Sequence, residues 1–396
     1  MTRRRVRGDR GAQVALLGLL VAAAVSAHAR GASAYPRWFL EAGAPCGTCH
    51  VSPQGGGVRN EIGWYQETHA SLAPLGDKLP KSQSFLGGKV WAGGDFRFQM
   101  ARLGAPRPDG AGGVVEPDRR FIPMQMSLYA AAKPIDSVYI TAALHIVDLV
   151  KEVDTKNNTF SRFPGMAPAE GAIQWSPSAA LPTVRAGLIQ PSLGIRHEDH
   201  TMFIRSNPAN PRQPFIPPLY AEPGVEASYH PISWFQAELG IFSNTFLREA
   251  VTETTGSVSW LARVLFLPQF AGLNTWIGAS AYGSGSFFMV NGFAAIGFPK
   301  GVSLMVDASQ TGYGADRSTF TLSGVLGWSI RPWVHVYGRG EYSSAVAGAS
   351  RPQNDQYVFG ATFNPIPFLE IRPEYRYLRT NNYVLAQYAL QLYAYF

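Results

Sequence analysis

Cysteine is nearly absent from this chain, and so are long apolar runs. Cys46 and Cys49 are the two cysteines among 396 residues, which excludes a disulfide framework and a cysteine-rich zinc site. Beyond the N-terminal segment, no stretch approaches the roughly 20 apolar residues of a transmembrane helix. The chain carries a net charge of +7, but residues 1–34 hold six Arg and one Asp, which leaves only +2 for the rest. This balance gives no electrostatic support for nucleic-acid binding, and we expect no nucleic-acid partner.

The first 34 residues have the layout of a secretory signal peptide. A stretch with four arginines precedes an apolar stretch, residues 14–25, that is too short to span a bilayer. Small residues alternate at the end of the segment. We predict cleavage after Ala34, which makes Tyr35 the first mature residue, and the Arg3-Arg4 pair leaves a twin-arginine export route open.

Residues 46–50 read Cys-Gly-Thr-Cys-His, which is the C-x-x-C-H signature of c-type haem attachment. In this pattern two thiols form thioethers to the haem vinyl groups, and the adjacent imidazole binds the iron. A redox-active cysteine pair and half of a zinc site are the alternatives. We favour haem because His50 is directly adjacent and no second pair of metal ligands lies nearby. The predicted haem-binding residues are therefore Cys46, Cys49 and His50.

The rest of the chain alternates between polar and apolar residues in the manner of β-strands. In residues 368–378, four charged residues share one face and apolar or aromatic residues share the other. Residues 89–100 and 333–341 follow the same rule. A charged face and an apolar face fit a polar lumen and a lipid exterior, whereas a soluble β-sandwich buries its apolar face. We predict an all-β fold, a transmembrane antiparallel β-barrel of the outer membrane with a small N-terminal c-type haem domain.

Proline-containing breaks divide the barrel region into about sixteen strands, and counts of 14 or 18 remain open. An even count places both ends on the periplasmic side, with seven short turns there and eight longer loops outside. The turns are marked by prolines 134, 191, 231, 268, 299, 332, 365 and 367. The predicted strands are 89–101, 121–132, 137–148, 183–190, 201–206, 220–229, 234–242, 257–266, 273–282, 287–297, 302–309, 319–328, 333–342, 357–363, 368–378 and 386–396.

This interpretation divides the chain into a signal peptide at 1–34, a monohaem cytochrome c segment at 35–85 and a porin-like barrel at 86–396. Residues 148–183, rich in Pro, Gly and Ser, are the longest predicted non-strand stretch and form either an external loop or a loop that narrows the pore. The terminal Phe396 resembles an outer-membrane targeting signal. Four tryptophans near predicted strand ends are expected in aromatic girdles: Trp234, Trp276, Trp328 and Trp333.

The cytochrome segment is too short for an independent core, so covalent haem or packing into the barrel has to complete it. The glycines at 55–57 predict a close backbone turn, and Arg59 or Asn60 is a candidate partner for a haem propionate. The expected packing partners of the porphyrin are Trp38, Phe39, Trp64 and Tyr65.

The sixth iron ligand is open at this point. We predict His69, the only other histidine of the segment, so that His50 and His69 are the metal ligands. His197, His200 and His335 are further candidates, and a water-ligated or five-coordinate iron is an alternative. The topology puts His197 and His200 at a periplasmic turn, where this His-x-x-His pair is also a candidate site for another metal. His335 is predicted to face the lumen.

A cleaved signal, one C-x-x-C-H motif and then a barrel of about sixteen strands resemble the fused outer-membrane monohaem cytochrome c–porin family. At the level of individual residues, the resemblance rests on Cys46, Cys49, His50 and the terminal Phe396. The barrel region is similar only in its alternation of polar and apolar residues. Membership implies electron exchange across the outer membrane, notably oxidation of extracellular ferrous iron. Residues 185–191 with Gly194 also resemble a segment of phosphate-selective-type porins.

Three functions follow from these expectations. The first is electron transfer through one covalent haem c, between an extracellular donor or acceptor and a periplasmic cytochrome, with outer-membrane lipid around the barrel. If this is enzymatic, the protein is an oxidoreductase. The second is an anion-preferring solute porin, plugged or gated by the haem domain, in which five lumen-facing arginines are partly offset by Glu341, Glu370 and Glu374. The third is a peroxidase-like enzyme, but no distal acid–base pair supports it. The five arginines are Arg97, Arg263, Arg339, Arg372 and Arg376.

Overall fold

The computed structural model describes residues 40, 46–52, 55–80, 83–103, 107–108, 114–115, 118–148, 152–154, 159–161, 169–178, 180–196, 199, 201–204, 220–245, 258–270, 272–313, 317–381 and 384–396. Several sequence predictions lie outside these residues. They are the signal peptide with its cleavage after Ala34, the packing partners Trp38 and Phe39, and the histidines His197 and His200.

In the described part of the chain, sixteen long strands form one closed antiparallel barrel. Each strand pairs with the next, and the first closes on the last with Asp95 opposite Tyr395. The all-β class and the predicted count are confirmed. The strands are β1 Val90–Leu103, β2 Asp118–Ile135, β3 Val138–Asp148, β4 Ala169–Trp175, β5 Thr183–Ile189, β6 Glu222–Ile232, β7 Phe235–Ser243, β8 Val258–Phe266, β9 Leu273–Ser284, β10 Phe287–Phe298, β11 Val302–Tyr313, β12 Arg317–Arg331, β13 Val334–Ala347, β14 Gln353–Phe363, β15 Leu369–Thr380 and β16 Val384–Tyr395.

Burial alternates along the strands as polarity does in the sequence. Glu370 and Arg376 of β15 are 2% and 3% exposed because they face the filled interior. Leu239 of β7 and Phe359 of β14 face outward and are 66% and 63% exposed. A polar interior inside an apolar outer band is the arrangement with which a barrel sits in lipid. The charged faces read from the sequence are therefore the lumen faces.

Connections differ at the two ends of the barrel. At the end where β1 begins and β16 ends, here the terminal end, the described strands are joined by seven short connections, as predicted. At the opposite, loop end, the connections after β9 are short as well; residues 285–286 alone join β9 to β10. The prediction of long loops is wrong there. Pro134 and Pro231 lie inside β2 and β6 rather than in turns, at register shifts where a missing N–H is tolerated.

Two strand predictions are wrong, and they compensate in the count. Residues 169–175 form β4, inside the stretch 148–183 that the sequence assigned to a loop. Residues 201–204, the described part of the predicted strand 201–206, form turns instead. The side chains of Met202, Phe203 and Ile204 are all buried, and Met202 and Ile204 pack inside the barrel with inward-facing side chains of β7–β10. Because of the additional strand β4, β5 runs in the direction opposite to the one predicted. The segment that follows β5, including Arg196, therefore starts at the loop end, and Pro191 does not mark a terminal-end turn.

The segment that follows β5 folds inward and crosses the interior. We call its described residues, 190–196, 199 and 201–204, the inner segment. Arg263 of β8 donates a hydrogen bond of 2.9 Å to the carbonyl of Gly194, and Gln356 of β14 donates one of 3.1 Å to the carbonyl of Thr201. Asp199 forms an ion pair of 2.6 Å with Arg339 of β13. The inner segment is thus fixed to two separate parts of the wall.

Residues 40, 46–52 and 55–80, here the N-terminal segment, contact the barrel from the terminal end. The segment contains helix α1, Glu61–His69, and two short 3₁₀ turns, Cys46–Thr48 and Gly76–Lys78. Leu72 donates its N–H to the carbonyl of Asn364 in the β14–β15 turn at 2.9 Å, and the Asn274 side chain donates to the carbonyl of Leu40 at 2.8 Å. In the described residues, no helix is long and apolar enough to cross a membrane.

Leu40 completes an apolar core that lies inside the barrel. It packs with Ile195 of the inner segment and with inward-facing side chains of β8–β10. Trp276 belongs to this core and is 4% exposed, so its predicted place in an outer girdle is wrong. Trp234 and Trp328 do face outward, at 50% and 48% exposure. Part of the lumen is therefore filled like the core of a soluble domain.

Candidate functional site

The C-x-x-C-H motif forms one tight turn. Cys46–Thr48 is a 3₁₀ turn, and the N–H groups of Cys49 and His50 both donate to the carbonyl of Cys46, at 3.2 and 3.1 Å. The two thiols stand on the same turn and are not joined in a disulfide. Cys49 and His50 are buried, at 2% and 9% exposure. This donor set, two free thiols followed directly by an imidazole, has the composition that covalent haem c requires.

Helix α1 holds the motif from one side. Asn60 caps the helix by accepting the N–H groups of Ile62 and Gly63 at 3.0 and 3.1 Å, and its side-chain amide donates to the carbonyl of Thr48 at 2.9 Å. A Cβ at Gly63 would lie 2.2 Å from the carbonyl oxygen of Cys49. Gly63 thus allows the helix to lie directly on the motif. The side chain of Asn60, a predicted propionate partner, is used for this attachment.

A short hairpin extends from His50 to Arg59. His50 forms an antiparallel bridge with Arg59, and Val51 donates to the carbonyl of Val58 at 3.1 Å. Val58 packs on Trp91 of the wall, and the Arg59 guanidinium lies 4.5 Å from the ring centre of Tyr395. The tip of the hairpin contains the predicted glycine turn, because Gly55, Gly56 and Gly57 have φ values of +84°, +73° and +61°.

Burial sets the state of both thiols. It raises the pKa of Cys46, although the nearby guanidinium groups of Arg263 and Arg196 act in the opposite direction. Burial also raises the pKa of Cys49 to about 11, against a smaller opposing effect of Arg59. Two high-pKa, partly or fully enclosed thiols are poor at thiol–disulfide exchange, which needs a thiolate. This disfavours the alternative of a redox-active cysteine pair.

The two described candidates for the sixth iron ligand lie in different places. His69 is exposed at the end of α1, where its Nδ1 lies 2.8 Å from the carbonyl of Tyr65 and its ring stacks on the Tyr65 ring at 4.1 Å. His335 faces the lumen from β13, as predicted, and its Nδ1 lies 2.9 Å from Oγ of Ser329. Trp64, an expected porphyrin partner, packs on Phe368 at 4.5 Å.

A partly open cleft lies between the glycine turn and strands β2–β5. In its wall, Nε2 of His145 lies 3.5 Å from Oε1 of Glu170, while Arg185 pairs with Glu226 at 2.8 Å. The sequence analysis did not assign these residues to a site. Alternation along β3 could have identified His145, whereas Glu170 stands on the strand that was missed. The polar side chains along the cleft are Ser52, Tyr129, Thr141, His145, Glu170, Gln174, Arg185 and Arg196.

The five predicted lumen arginines face inward, and most are neutralised by carboxylates. Arg263 pairs with Glu238 at 2.7 Å and Arg372 with Glu370 at 2.5 Å. Arg376 pairs with Glu374. The sequence indicated Glu370 and Glu374 as offsetting charges but not Glu238. Among the described residues, no group of three or more His, Cys, Asp or Glu is arranged to hold a metal ion.

Several solved outer-membrane proteins have the same architecture. OprB of Pseudomonas putida at high pH matches with a TM-score of 0.56 and 12% identity, over 82% of this chain and 99% of that one. The outer-membrane channel DcaP of Acinetobacter baumannii matches with a TM-score of 0.54 and 12% identity, over 78% and 97% of the two chains. An anion-selective porin from Comamonas acidovorans matches with a TM-score of 0.52 and 12% identity, over 78% and 99%.

No family model matches the chain, and no curated protein is similar to it. At 12% identity, the likeness to the solved structures concerns the fold alone. The chain therefore folds as a porin-like outer-membrane barrel, with a C-x-x-C-H turn held against its inner wall.

Proposed function

We propose that this protein transfers electrons across the bacterial outer membrane, through one haem c attached to Cys46 and Cys49 with His50 as the axial ligand. Its partners are an extracellular donor or acceptor, for which the resemblance implies ferrous iron, and a periplasmic cytochrome. The observation that carries the proposal is the position of the motif turn. The hairpin that begins at His50 packs on the barrel wall, through Val58 on Trp91 and through the Arg59 guanidinium over the ring of Tyr395.

The residues around the motif fit the role of a haem support. A haem bound there supplies a one-electron centre whose potential depends on its ligands and surroundings. The chain contributes two thiols on one turn, the buried imidazole of His50, and helix α1 packed on the carbonyl of Cys49. The second axial ligand remains a proposal for His69, with His335 and water as alternatives.

The barrel provides a protein-lined route through the membrane in which a redox centre can be held. The apolar band of an outer-membrane barrel is about 25 Å tall and bars charged donors from the periplasm. The short connections of the terminal end are typical of the periplasmic side, which puts the N-terminal segment within reach of a periplasmic carrier. The inner segment and the apolar core around Leu40 occupy part of the lumen and so reduce the space left for solutes.

Reduction by an external donor tests the proposal. Full-length protein matured with haem is inserted into liposomes so that the loop end faces outward, and ferrous iron is added outside. The absorbance of a reduced c-type haem is expected within the mixing time, and the Cys46→Ala, Cys49→Ala double variant is expected to show none. If wild-type protein carries haem but neither ferrous iron nor any other impermeant donor or acceptor exchanges electrons with it, the proposal is wrong.

A second candidate function is anion passage past a redox-sensitive plug. The observation in its favour is the polar cleft, which leaves part of the lumen open beside Arg185 and Arg196; one structure of the same fold is described as an anion-selective porin. Single-channel conductance separates the two functions. A large, steady anion current supports the porin, and a nearly closed pore supports electron transfer.

A further inference from the structure

We infer that Arg196, a residue of the inner segment, binds a propionate carboxylate of the haem and so completes the haem site from the barrel side. This inference rests on the proposed function, because it needs a haem at Cys46 and Cys49. It assigns a role to a residue that lies about 150 positions beyond the motif and belongs to a different part of the fold.

Arg196 lies directly on the turn that follows the motif. Its Nη1 donates a hydrogen bond of 3.1 Å to the carbonyl of Gly55. A Cβ built on Gly56 would lie 2.7 Å from the Cζ of Arg196, so the absence of a side chain on Gly56 is what admits the guanidinium. The inner segment thus reaches the N-terminal segment at the hairpin that begins with His50.

The guanidinium has donors to offer a carboxylate. An arginine carries five N–H donors, and in the described part of the chain Arg196 bonds to a neutral carbonyl. The other arginine of the cleft differs, because Arg185 forms an ion pair with Glu226 and also donates to the carbonyl of Gln190 at 2.7 Å. Arg196 lines the partly open cleft that borders the hairpin, so a carboxylate can approach it. The other charged or titratable side chains along this cleft are His145, Glu170 and the paired Arg185, and Glu170 is a carboxylate that interacts with Arg196 electrostatically.

Its charge also reaches the attachment point. Arg196 is one of the two guanidinium groups that oppose the raised pKa of Cys46. The other, Arg263, is paired with Glu238 and donates to the carbonyl of Gly194. The candidates nearer to the motif are engaged elsewhere, since Arg59 lies over the ring of Tyr395 and Asn60 caps helix α1.

A guanidinium on a propionate affects a haem in two measurable ways. It offsets the carboxylate charge that stabilises ferric iron, so it favours the reduced form. It also keeps the propionate ionised, since an adjacent cation lowers a carboxyl pKa. Loss of Arg196 is therefore expected to lower the reduction potential and to move its pH-dependent region to higher pH.

Potentiometric titration of the full-length haem protein tests this. Arg196→Gln is expected to shift the reduction equilibrium about tenfold toward the oxidised form, which is about 59 mV for one electron. Arg196→Lys keeps the charge but not the bidentate geometry, so it is expected to retain most of the potential. Arg379→Gln is the control, because it removes one positive charge from an exposed ion pair at the loop end of β15, and it is expected to leave the potential unchanged.

The readouts separate this inference from the proposed function. The covalent haem content by intact mass, together with the visible spectrum, shows whether each variant is loaded and folded. If Arg196→Gln carries full haem with an unchanged potential and an unchanged pH dependence, or if Arg379→Gln shifts the potential as much, the inference is overturned while the haem remains. If wild-type protein takes up no haem, the proposed function fails first.

Discussion

The two sides of the lumen are built by different rules. Strands β13–β16 face inward with paired charges, such as Arg339 with Glu341 and Arg376 with Glu374. Strands β7–β10 face inward with many apolar side chains, which pack on Leu40 and on the inner segment. On the charged side, the interior is stabilised by ion pairs and hydrogen bonds. On the apolar side, which also holds the Arg263–Glu238 pair, it is stabilised mainly by close packing. A substitution that changes volume should therefore matter on one side, and one that changes charge on the other.

Gly297 of β10 gives the largest expected effect on the apolar side. A Cβ there would lie 1.9 Å from the carbonyl oxygen of Leu40, which Asn274 also holds at 2.8 Å. Because these contacts are to backbone atoms, Gly297→Ala is expected to cost about 3 kcal/mol and to displace the N-terminal segment. Thermal unfolding and single-channel conductance measure the two consequences, with a lower midpoint and a larger conductance expected.

Gly292→Ala is the matched control for this change. Gly292 lies on the same strand, and a Cβ there meets no atom within 4 Å. It is expected to leave both the midpoint and the conductance near wild type. Equal behaviour of the two variants would mean that Leu40 does not hold the segment in place, and the described difference between the two sides would lose its main support.

Asp199 is the corresponding position on the charged side. Its ion pair with Arg339 is largely buried, and Asp199→Asn leaves that guanidinium with Glu341 at 3.4 Å. We expect the inner segment to lose about 2 kcal/mol, less than for a buried charge left with no partner. Hydrogen exchange in residues 199–204 is expected to speed up about 30-fold, as that free energy implies.

Asp355→Asn is the control for an exposed pair. Asp355 bonds to Arg379, whose side chain is 60% exposed, and surface pairs contribute little. Exchange in residues 199–204 should not change in this variant. If Asp199→Asn also leaves that exchange unchanged, the ion pair does not hold the inner segment, and packing governs both sides of the lumen.

Gly63 tests the contact between helix α1 and the motif. In an exposed helix, Gly→Ala stabilises by about 1 kcal/mol, so helix propensity alone predicts a more stable protein. Here the new methyl group would lie 2.2 Å from the carbonyl oxygen of Cys49. We expect Gly63→Ala to destabilise by about 1 kcal/mol net and to lower haem attachment. Mass spectrometry of matured protein and thermal unfolding measure both, and a stabilised, fully loaded variant would contradict the packing.

The difference between the two sides also decides what the sequence could reveal. Strict alternation predicted β15 and β13 well, because charged residues such as Glu370 and Arg339 mark the lumen face. The rule that apolar residues face lipid fails where the lumen has its own apolar core. Trp276 was predicted in an outer girdle and residues 201–206 as a strand of the wall, whereas Trp276 and Met202 are both buried inside the barrel.

The candidate site divides in the same way. Local chemistry identified Cys46, Cys49 and His50, since the motif is contiguous in the sequence. The capping role of Asn60 and the contact of Gly63 depend on how α1 folds back onto the motif. The approach of Arg196 depends on the direction of β5, which the missed strand β4 reversed. Spacing alone cannot give such contacts, because they arise from the inward fold of the chain.

The smallest effect that we expect is that of mild acid on the inner segment. Burial alone would raise the pKa of Asp199, but the guanidinium of Arg339 outweighs it and holds this pKa well below the usual value of 3.8. A lowered pKa in the folded state gives stability that is present above pH 3.8 and is lost only as the pH falls through the still lower folded value. Single-channel conductance of the wild-type protein should therefore stay constant from about pH 7 to about pH 4.5 and rise only in stronger acid.

Asp199→Asn should lack this acid step, because it has no carboxyl group to protonate. A wild-type transition near pH 5 or above would mean that the ion pair with Arg339 is weaker than its burial and 2.6 Å distance indicate, and that the charged side of the lumen is held by something other than its charges.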